Sequence, residues 1–347
     1  MQSLAKAIAA GLFAVVLASG AASKPLISAE AWNAYKENFL DTSGRIIDTG
    51  NGNISHSEGQ GYGLLLAYYA DSPPDFEQIW SFTRTELLVR DDGLAVWRWD
   101  PSKRPHVTDI NNATDGDILI AYALALAGAR WNRDDYTAAA SRIATALASK
   151  AVVAHGERLL LLPAVTGFAA ADRPDGPVIN PSYYIFEAFP LLAQLAPQAD
   201  WTKLSGDGLA LVEKMQFGPR QLPTDWVSLA GEMRPADGFP GEYGYNALRI
   251  PLYLARAGNP APALVQRLRK QTTGPEDSLQ LMTFDDAGPG TLLTDPGYRF
   301  INHLVACVAE AKPIPEDLRQ FRPTLYYPST LHLLGLAYAA EKHPGCL

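Results

Sequence analysis

Apolar residues recur at three- and four-residue spacing along most of this chain, which predicts amphipathic helices. Helices are expected at 29–39, 59–72, 75–89, 116–130, 134–150, 182–195, 206–215, 246–257, 260–270, 297–311 and 328–341. The 26 prolines and 28 glycines fall mostly between these segments, as helix breakers do. The segments pair into about five or six helical hairpins, so the pattern predicts one large all-α domain.

Two short β-like runs, 94–99 and 158–163, interrupt the helical pattern. We expect them to form hairpins in loops rather than a main sheet, because each is isolated between helices. The loops that begin helices differ from the Ala/Leu-rich helices themselves, since they are rich in acids, aromatics and glycines. Functional residues concentrate on such loops when a rigid scaffold holds them.

Residues 1–22 predict a signal peptide that is removed on export. Lys6 supplies a positive charge, 7–17 is an apolar run of secretory length, and small residues follow it. The run is too short to span a bilayer comfortably, and later apolar stretches are broken by charges, prolines or glycines. We expect cleavage near Ala22, a periplasmic or secreted location without stable membrane insertion, and one catalytic domain over 23–347.

Composition and charge exclude several classes of protein. The 347 residues carry a formal net charge of −8 and are 47% hydrophobic and 19% charged, which is typical of a folded globular chain. Acidic residues outnumber basic ones by 37 to 29, which argues against nucleic-acid binding. Export permits a disulfide between Cys307 and Cys346. We favour the alternative, in which Cys307 is a buried apolar-face residue and Cys346 a free thiol.

The first candidate for chemistry is Glu58, in the segment 57–63 (SEGQGYG) ahead of an apolar helix. Glycines beside the glutamate indicate close backbone packing, which would desolvate the carboxyl group and raise its pKa. A raised pKa is what a general acid requires at neutral pH. The structural alternative is an acidic first turn that complements the helix dipole.

The second candidate is Asp115, in the segment 111–117 (NNATDGD) that opens the next long helix. Thr114 and Asp117 have the spacing of a capping box, which would be a purely structural use. Asp115 is then free to hydrogen-bond a ligand from the first turn. Metal binding is not favoured, because the spaced oxygen ligands of a calcium loop are missing.

The third segment is 243–254 (YGYNALRIPLYL), in which Arg249 stands among apolar residues. A buried arginine must find a partner for its charge. Pro251 interrupts a helical pattern, which costs stability unless it falls in the first turn. The chain contains no G-x-S-x-G, H-E-x-x-H, C-x-x-C or P-loop motif, and its six histidines are scattered.

Aromatic residues are available to stack on sugar rings. Trp97 and Trp99 alternate with charged residues in the segment 96–100 (VWRWD), and Tyr183, Tyr184 and Trp226 add to them. Ligand clefts combine aromatic planes with a few polar groups. Packing in the core is the alternative use of the same side chains.

Taken together, these segments resemble glycoside hydrolase family 8. The segment 57–63 is similar to the family pattern S-E-G-Q-x-Y-G, whose glutamate is the general acid. The segment 113–124 (ATDGDILIAYAL) is similar to A-[ST]-D-[AG]-D-x-x-[IM]-A, whose first aspartate binds the sugar in the central subsite. The resemblance covers about residues 26–340 and implies an (α/α)6 barrel of helical hairpins.

The resemblance also implies an inverting mechanism, in which Glu58 is the acid and Asp115 binds the sugar. The acid and base carboxyl groups then stand about 6.5–9.5 Å apart, with a water between base and sugar. The family base is an aspartate in a Y-D-A-[IV]-R segment, and Asn246 occupies that position here. An amide does not take a proton near neutral pH, so this departure leaves the base unassigned.

Three explanations for Asn246 remain open. An acid on another loop replaces the base, with Asp225, Asp237 and Glu242 as candidates and Asp237 favoured by its glycine-rich setting. Alternatively, Asn246 orients the water while Asp115 assists. In the third explanation the protein is a weak enzyme that chiefly binds glucan.

These observations predict an exported endo-β-1,4-glucanase that acts on cellulose-like chains and takes part in bacterial cellulose biosynthesis. Its partners would be a β-1,4-glucan and the cellulose synthase machinery, with Trp97, Trp99, Tyr184 and Arg249 lining the cleft. No cofactor or metal is expected, because two carboxyl groups suffice. The alternatives are a chitosanase or other family 8 β-glycanase, a non-catalytic glucan-binding protein, and a polysaccharide lyase on a similar helical barrel.

Overall fold

The computed structural model describes residues 24–258, 260–285 and 290–347, and these residues are predominantly helical. Within them we number the helices α1 to α12 in chain order. Their bounds are Ala29–Phe39, Ser57–Tyr69, Pro73–Phe82, Thr114–Trp131, Asp134–Lys150, Phe189–Leu195, Trp201–Lys214, Ile250–Arg256, Pro262–Thr272, Pro296–Glu310, Glu316–Arg319 and Tyr326–Lys342. The helical fold class is confirmed, and the barrel arrangement of the hairpins stays a prediction.

Short antiparallel strands occupy the connections between helices. In the described part of the chain, β1 to β10 are Ser55–His56, Arg98–Trp99, Val152–His155, Arg158–Leu161, Val178–Ile179, Val227–Ser228, Arg234–Pro235, Glu242–Tyr243, Leu279–Thr283 and Thr291–Leu293. They pair as β1–β2, β3–β4, β5–β6–β7 and β8–β9–β10. Both β-like runs expected from the sequence therefore lie in small loop sheets, and the helices form the core.

Helices α2 and α4 pack closely because each has a glycine that faces residues of the other helix. A Cβ on Gly61 would lie 2.5 Å from the Cβ of Leu119, and one on Gly116 would lie 2.6 Å from the Glu58 nitrogen. Both distances are too short for a side chain. The close approach brings together the first turns of the two helices, which carry Glu58 and Asp115.

Two expected helices are shorter than the sequence pattern suggests. The expected segment 182–195 is a 3-10 turn, Pro181–Tyr183, followed by α6, because the Asn180 side chain caps the turn and Tyr184 leaves helical geometry. The expected segment 246–257 begins with the 3-10 turn Ala247–Arg249. Pro251 then falls in the first turn of α8, where it removes no helical hydrogen bond.

Cys307 and Cys346 form a disulfide, so the expectation of two unpaired thiols was wrong. Their Cα atoms are 6.0 Å apart. After α12 the chain makes a 3-10 turn, Pro344–Cys346, that lies beside α10, and the Ile314 amide donates to the Cys346 carbonyl. The last residues therefore fold back onto the helix that carries Cys307, which a pattern of apolar positions does not reveal.

The predicted signal peptide, residues 1–22, lies outside the described residues. The first described helix, α1, begins at Ala29 after Ser28, whose hydroxyl accepts a hydrogen bond from the Ala31 amide. Among the helices that the structure describes, none has both the length and the apolar character needed to cross a membrane.

Candidate active site

A cavity of about 480 Å³ opens where the first turns of α2 and α4 meet the turn before α8. Its walls come from helix starts and loops rather than from helix interiors. The lining residues are Asp48, Gly50, Asn51, Ile54, His56, Ser57, Glu58, Trp97, Ala113, Asp115, Tyr183, Tyr245, Asn246, Arg249, Tyr298, Leu325, Tyr327 and Pro328. The structure thus brings Glu58, Asp115, Asn246, Arg249 and Trp97 to one site, as the sequence predicted.

Glu58 is placed in the cavity by the start of α2. His56, two residues before Glu58, is the N-cap of α2, and its Nδ1 accepts a hydrogen bond from the Gly59 amide at 2.9 Å. This cap fixes the first turn and aims the glutamate at the cavity. Glu58 Oε1 accepts a hydrogen bond from Arg249 Nη1 at 2.5 Å, which leaves the second carboxyl oxygen free for a ligand.

Asp115 lies in the first turn of α4 and is almost fully buried. One of its oxygens accepts from the Gly116 amide at 2.8 Å, and the other from Arg249 Nη1 at 3.2 Å. Burial raises the pKa of the Asp115 carboxyl, the charge of Glu58 raises it further, and Arg249 opposes both. Because Asp115 also lines the cavity, its carboxyl group can accept a hydrogen bond from a sugar hydroxyl.

Arg249 connects the polar groups of the cavity floor. It is 1% exposed and sits directly before α8. Besides the two carboxylates, its Nη2 donates to Ser182 Oγ at 2.8 Å and to Asn246 Oδ1 at 3.0 Å. The sequence-based expectation that this buried arginine is paired is confirmed. One guanidinium therefore fixes the relative positions of Glu58, Asp115 and Asn246.

Asn246 lies between Arg249 and Asp225. Its Nδ2 donates to Asp225 Oδ2 at 3.2 Å, while its Oδ1 accepts from Arg249. The orientation of the amide is fixed, because an oxygen facing the carboxylate or a nitrogen facing the guanidinium would leave both contacts unmade. Asp225 is 4% exposed and stands behind the amide, away from the cavity.

Asp237, the favoured replacement for the base, does not reach the cavity. Its side chain is 66% exposed and forms a two-pronged ion pair with Arg234. The loop that carries it points outward beside β7, so this expectation was wrong. Glu242 lies closer to Asn246, on β8, and burial and the charge of Asp225 raise the pKa of its carboxyl group. It is not one of the lining residues.

Trp97 lines the cavity, and its indole nitrogen donates to Asp109 at 2.8 Å. Trp99 and Tyr184, which were also expected in the cleft, do not line the cavity. The Trp99 ring stacks on His106 and its indole nitrogen donates to Glu86, so its side chain is engaged outside the cavity. Tyr184 is 1% exposed and its hydroxyl accepts from the Leu161 amide, so it is a core residue.

Tyr183, rather than its neighbour, lies in the cavity wall and leads to a surface of three aromatic rings. Trp226 stacks on Phe168 and Phe239 with ring centroids 5.4 and 4.4 Å apart, and Tyr183 meets Trp226 edge to face at 6.1 Å. All three stacked residues are partly exposed. These three rings lie next to Tyr183 of the cavity wall, and we call them the aromatic wall (Phe168, Trp226 and Phe239).

Several lining residues were not predicted from the sequence. Asp48 accepts a hydrogen bond from His56 Nε2 at 3.3 Å, and Tyr245, Tyr298 and Tyr327 form a cluster of rings on the far side. His56 stands two residues before Glu58, and this closeness in the sequence could have indicated that it lies in the same site. The three tyrosines are far apart in the chain, and only the fold brings them together.

His56 contacts both Asp48 and the start of α2. Burial lowers the pKa of its imidazole, but the hydrogen bond with Asp48 and the charges of Glu58, Asp48 and Asp115 outweigh that effect and raise the pKa. Because Nδ1 accepts from the Gly59 amide, the neutral ring carries its proton on Nε2. The imidazole therefore connects Asp48 to the first turn of α2.

The expected capping box at Thr114 and Asp117 is not formed. The Thr114 hydroxyl donates to the Leu162 carbonyl, while Asp117 accepts from the Ala95 amide and from Asn112. Burial raises the pKa of the Asp117 carboxyl and outweighs the lowering effect of these two donors, so that the pKa is about 7. Asp117 thus ties α4 to the segment that carries Trp97.

The arrangement provides the groups that acid-assisted cleavage of a glycosidic bond requires. Glu58 can donate a proton, Asp115 can accept a hydrogen bond from a bound hydroxyl group, and aromatic rings offer faces for apolar sugar surfaces. Among the described residues, no group of three or more His, Cys, Asp or Glu side chains is arranged to hold a metal ion.

Comparisons with known proteins agree with this chemistry. A family model described as "Glycosyl hydrolases family 8" matches residues 1–274. The chain is 40% identical over 247 residues to an endoglucanase of Cellulomonas uda, covering 70% of this chain and 68% of that protein. It is 38% identical over 253 residues to a probable endoglucanase of Novacetimonas hansenii, covering 72% and 73%.

The fold is similar to that of a solved structure, the endo-beta-1,4-glucanase CMCax from Acetobacter xylinum. The TM-score is 0.79 at 32% sequence identity, and the alignment covers 90% of this chain and 97% of that one. An alignment over 90% of the chain includes residues beyond 274, where the match to the family model ends.

Proposed function

Because the chain belongs to glycosyl hydrolases family 8, and is therefore a glycoside hydrolase, we propose that it is an exported endo-β-1,4-glucanase. The proposal takes its substrate from the relatives, which are named as endoglucanases, one of them as an endo-beta-1,4-glucanase. The (α/α)6 barrel and the inverting mechanism, which the family resemblance implies, are part of the same proposal.

In this proposal Glu58 is the general acid. Its free carboxyl oxygen carries the proton that moves to the glycosidic oxygen as the bond to C1 breaks. Asp115 accepts a hydrogen bond from the sugar at the cleavage point, which favours a distorted ring. A water attacks C1 from the opposite face, and the product has inverted configuration. Asn246 lies beside that water.

The single observation that carries the proposal is the contact of Arg249 with both Glu58 and Asp115. Two carboxyl groups from different helices are held within hydrogen-bonding distance of one buried guanidinium, at 2.5 and 3.2 Å. A purely structural ion pair would not need to line an open cavity. The aromatic wall and Trp97 offer surfaces for further sugar units of a polymer.

Export is part of the proposal and has support from the disulfide. Disulfides persist in oxidising compartments such as the periplasm and are rare in the cytoplasm. The bond between Cys307 and Cys346 therefore agrees with the export signal predicted at residues 1–22. A role with the cellulose synthase machinery extends the proposal, and co-purification from a cellulose-producing host would test it.

The test is the release of reducing ends from carboxymethyl cellulose, xylan and chitosan. We expect wild-type activity on carboxymethyl cellulose and a loss of about 10²–10⁴ in kcat for Glu58→Gln, since general acid help is worth that much. Glu157→Gln, an exposed glutamate on the β3–β4 turn, is the matched control and should keep full activity. Wild-type activity in Glu58→Gln would refute the proposed mechanism.

A chitosanase is the second candidate, because three carboxylates and one guanidinium line the cavity. Asp48, Glu58 and Asp115 outnumber Arg249, so the cavity favours a cationic chain over an anionic one. Faster release of reducing ends from chitosan than from carboxymethyl cellulose would assign this substrate instead. Binding of glucan without any new reducing ends would indicate a non-catalytic protein, and unsaturated products would indicate a lyase.

A further inference from the structure

An amide stands where the proposed reaction needs a proton acceptor. Water that attacks C1 must lose a proton, and a general base is worth about 10²–10⁴ in rate. Asn246 lines the cavity at the position that would hold the base, yet a neutral amide is a very weak base. A carboxylate in contact with this amide would remove the difficulty.

Asp225 is such a carboxylate. Its Oδ1 accepts from the amides of Gly244 and Ala247 at 2.9 and 2.8 Å, and its Oδ2 accepts from the backbone and side-chain nitrogens of Asn246, both at 3.2 Å. Within the described chain no cation forms an ion pair with it. It is thus a buried acid that is held by neutral donors and directed at the Asn246 side chain.

The hydrogen bonds of Asn246 give the amide the polarity that a proton relay needs. Its Nδ2 hydrogen points at Asp225, and its Oδ1 carries a second lone pair besides the one that accepts from Arg249. A water in the cavity can donate to that lone pair. The guanidinium withdraws electron density from the amide oxygen, which makes the Nδ2 hydrogen easier to remove.

We propose that Asp225, acting through Asn246, is the proton acceptor for the hydrolytic water. This inference rests on the proposed function and deepens it. The water oxygen forms the new bond to C1, and the glycosidic oxygen leaves with the old bonding pair and the Glu58 proton. The water proton passes to Asn246 Oδ1 while an Nδ2 proton passes to Asp225 Oδ2. The resulting imidic acid returns to the amide when Asp225 gives its proton back and Oδ1 releases one to solvent, and Glu58 regains its proton from solvent.

The other carboxyl groups nearby are less suited to this step. Asp237 is on the surface and paired with Arg234. Asp48 lines the cavity, but its two oxygens contact the Gly50 amide and the His56 ring. Glu242 has no hydrogen bond to Asn246 in the described structure, and its Oε1 lies beside Gly244. Of the carboxyl groups in the described residues, Asp225 is the one that hydrogen-bonds to the Asn246 side chain.

The test compares Asp225→Asn with wild type on carboxymethyl cellulose. We expect kcat to fall about 10²–10⁴-fold with little change in KM, because the substrate does not touch Asp225. The acid limb of the wild-type pH profile, which reports protonation of the base, should disappear. Asp237→Asn removes a carboxyl group of the same kind outside the cavity and should leave both kcat and the profile unchanged.

Two further measurements separate proton transfer from support of the loop. Azide needs no base, so it should restore turnover in Asp225→Asn and give an α-glucosyl azide, whereas Glu58→Gln should not respond. The exchange Asp225→Asn/Asn246→Asp places the carboxyl group at the cavity itself and should recover much of the lost kcat. If Asp225→Asn does not fold, Asn246→Ala keeps the carboxylate and its backbone hydrogen bonds, and it should show the same loss and the same azide rescue.

Unchanged kcat in Asp225→Asn or in Asn246→Ala would overturn the relay. So would a loss that neither azide nor the exchanged pair restores, because that loss would come from the loop. Failure of the proposed function appears differently, as a wild-type protein that releases no reducing ends or as full activity in Glu58→Gln. The first of those results would overturn the relay as well.

Discussion

Replacing Arg249 with methionine should destabilise the protein in a strongly pH-dependent way. The guanidinium is 1% exposed and donates to Glu58, Asp115, Ser182 and Asn246. Methionine fills a similar length of side chain without a charge or a donor. The variant therefore leaves two carboxylates close together at the cavity floor, with their cation removed.

The size of the effect follows from the energy of protonating those carboxyl groups. Removing one partner of a buried ion pair costs about 3–5 kcal/mol. A stranded carboxylate can instead take up a proton, which at pH 7 costs about 4 kcal/mol for an ordinary pKa near 4, and at pH 5 only about 1.4 kcal/mol. Protonation thus sets an upper limit on the unfolding free energy that each stranded carboxyl group can cost, and this upper limit becomes smaller as the pH falls.

The sign of the pH dependence follows from the direction of the pKa shifts. The folded-state pKa of Asp115 is raised above the unfolded value already, by burial and by the charge of Glu58, and removing Arg249 takes away the cation that opposes this rise. Groups with a raised pKa stabilise the fold most below their unfolded pKa, and this stability is lost as the pH rises through the folded pKa. The deficit of the variant is therefore larger at pH 7 than at pH 5.

Urea unfolding at the two pH values is the assay. We expect Arg249→Met to lose about 4 kcal/mol of unfolding free energy at pH 7 and roughly half of that at pH 5, relative to wild type at the same pH. Arg234→Met breaks an exposed pair and should show no measurable change at either pH. Equal losses for Arg249→Met at both pH values would refute the reasoning.

Two more predictions concern the disulfide and the aromatic wall. Cys346→Ala removes a disulfide between residues 39 positions apart and should lower the unfolding free energy by about 4 kcal/mol, measured by urea unfolding. Wild type with reductant should show the same loss, and an unchanged urea midpoint in either sample would contradict the prediction. Trp226→Ala should raise KM for long soluble glucans roughly fivefold, for a lost stacking contact of about 1 kcal/mol, and leave kcat unchanged. An unchanged KM would show that the wall does not bind substrate.

The residues that could be predicted from sequence are those whose position depends on local structure. Glu58 and Asp115 each stand in the first turn of a helix, and Gly61 and Gly116, which allow the two turns to meet, lie within three residues of them in the sequence. Arg249 could be predicted as paired because a charge among apolar residues needs a partner. The partners themselves, 134 and 191 residues away, depend on the fold.

The residues that could not be predicted depend on which way a loop side chain points. Tyr183 and Tyr184 are neighbours of the same type, yet the 3-10 turn at 181–183 sends one to the cavity and the other to the core. Asp225 and Asp237 both precede the segment of Asn246, and only the fold places one behind the amide and the other at the surface. Composition and periodicity contain no information on either choice.

The amide at 246 also has an electrostatic consequence for the whole site. Three carboxyl groups already surround the Arg249 guanidinium. Glu58 and Asp115 contact it directly, and Asp225 is connected to it through Asn246. An aspartate at 246 would add a fourth, and its oxygen would stand about as far from Asp225 as the Asn246 nitrogen does now, at 3.2 Å. Like charges at that distance do not both stay ionised, so one of the pair would be protonated near neutral pH. The amide supplies that shared proton permanently, as an N–H directed at Asp225. A chain with Asp225 behind position 246 therefore gains little proton-accepting capacity from a carboxyl group at 246, and the departure from the family pattern fits the buried acid behind it.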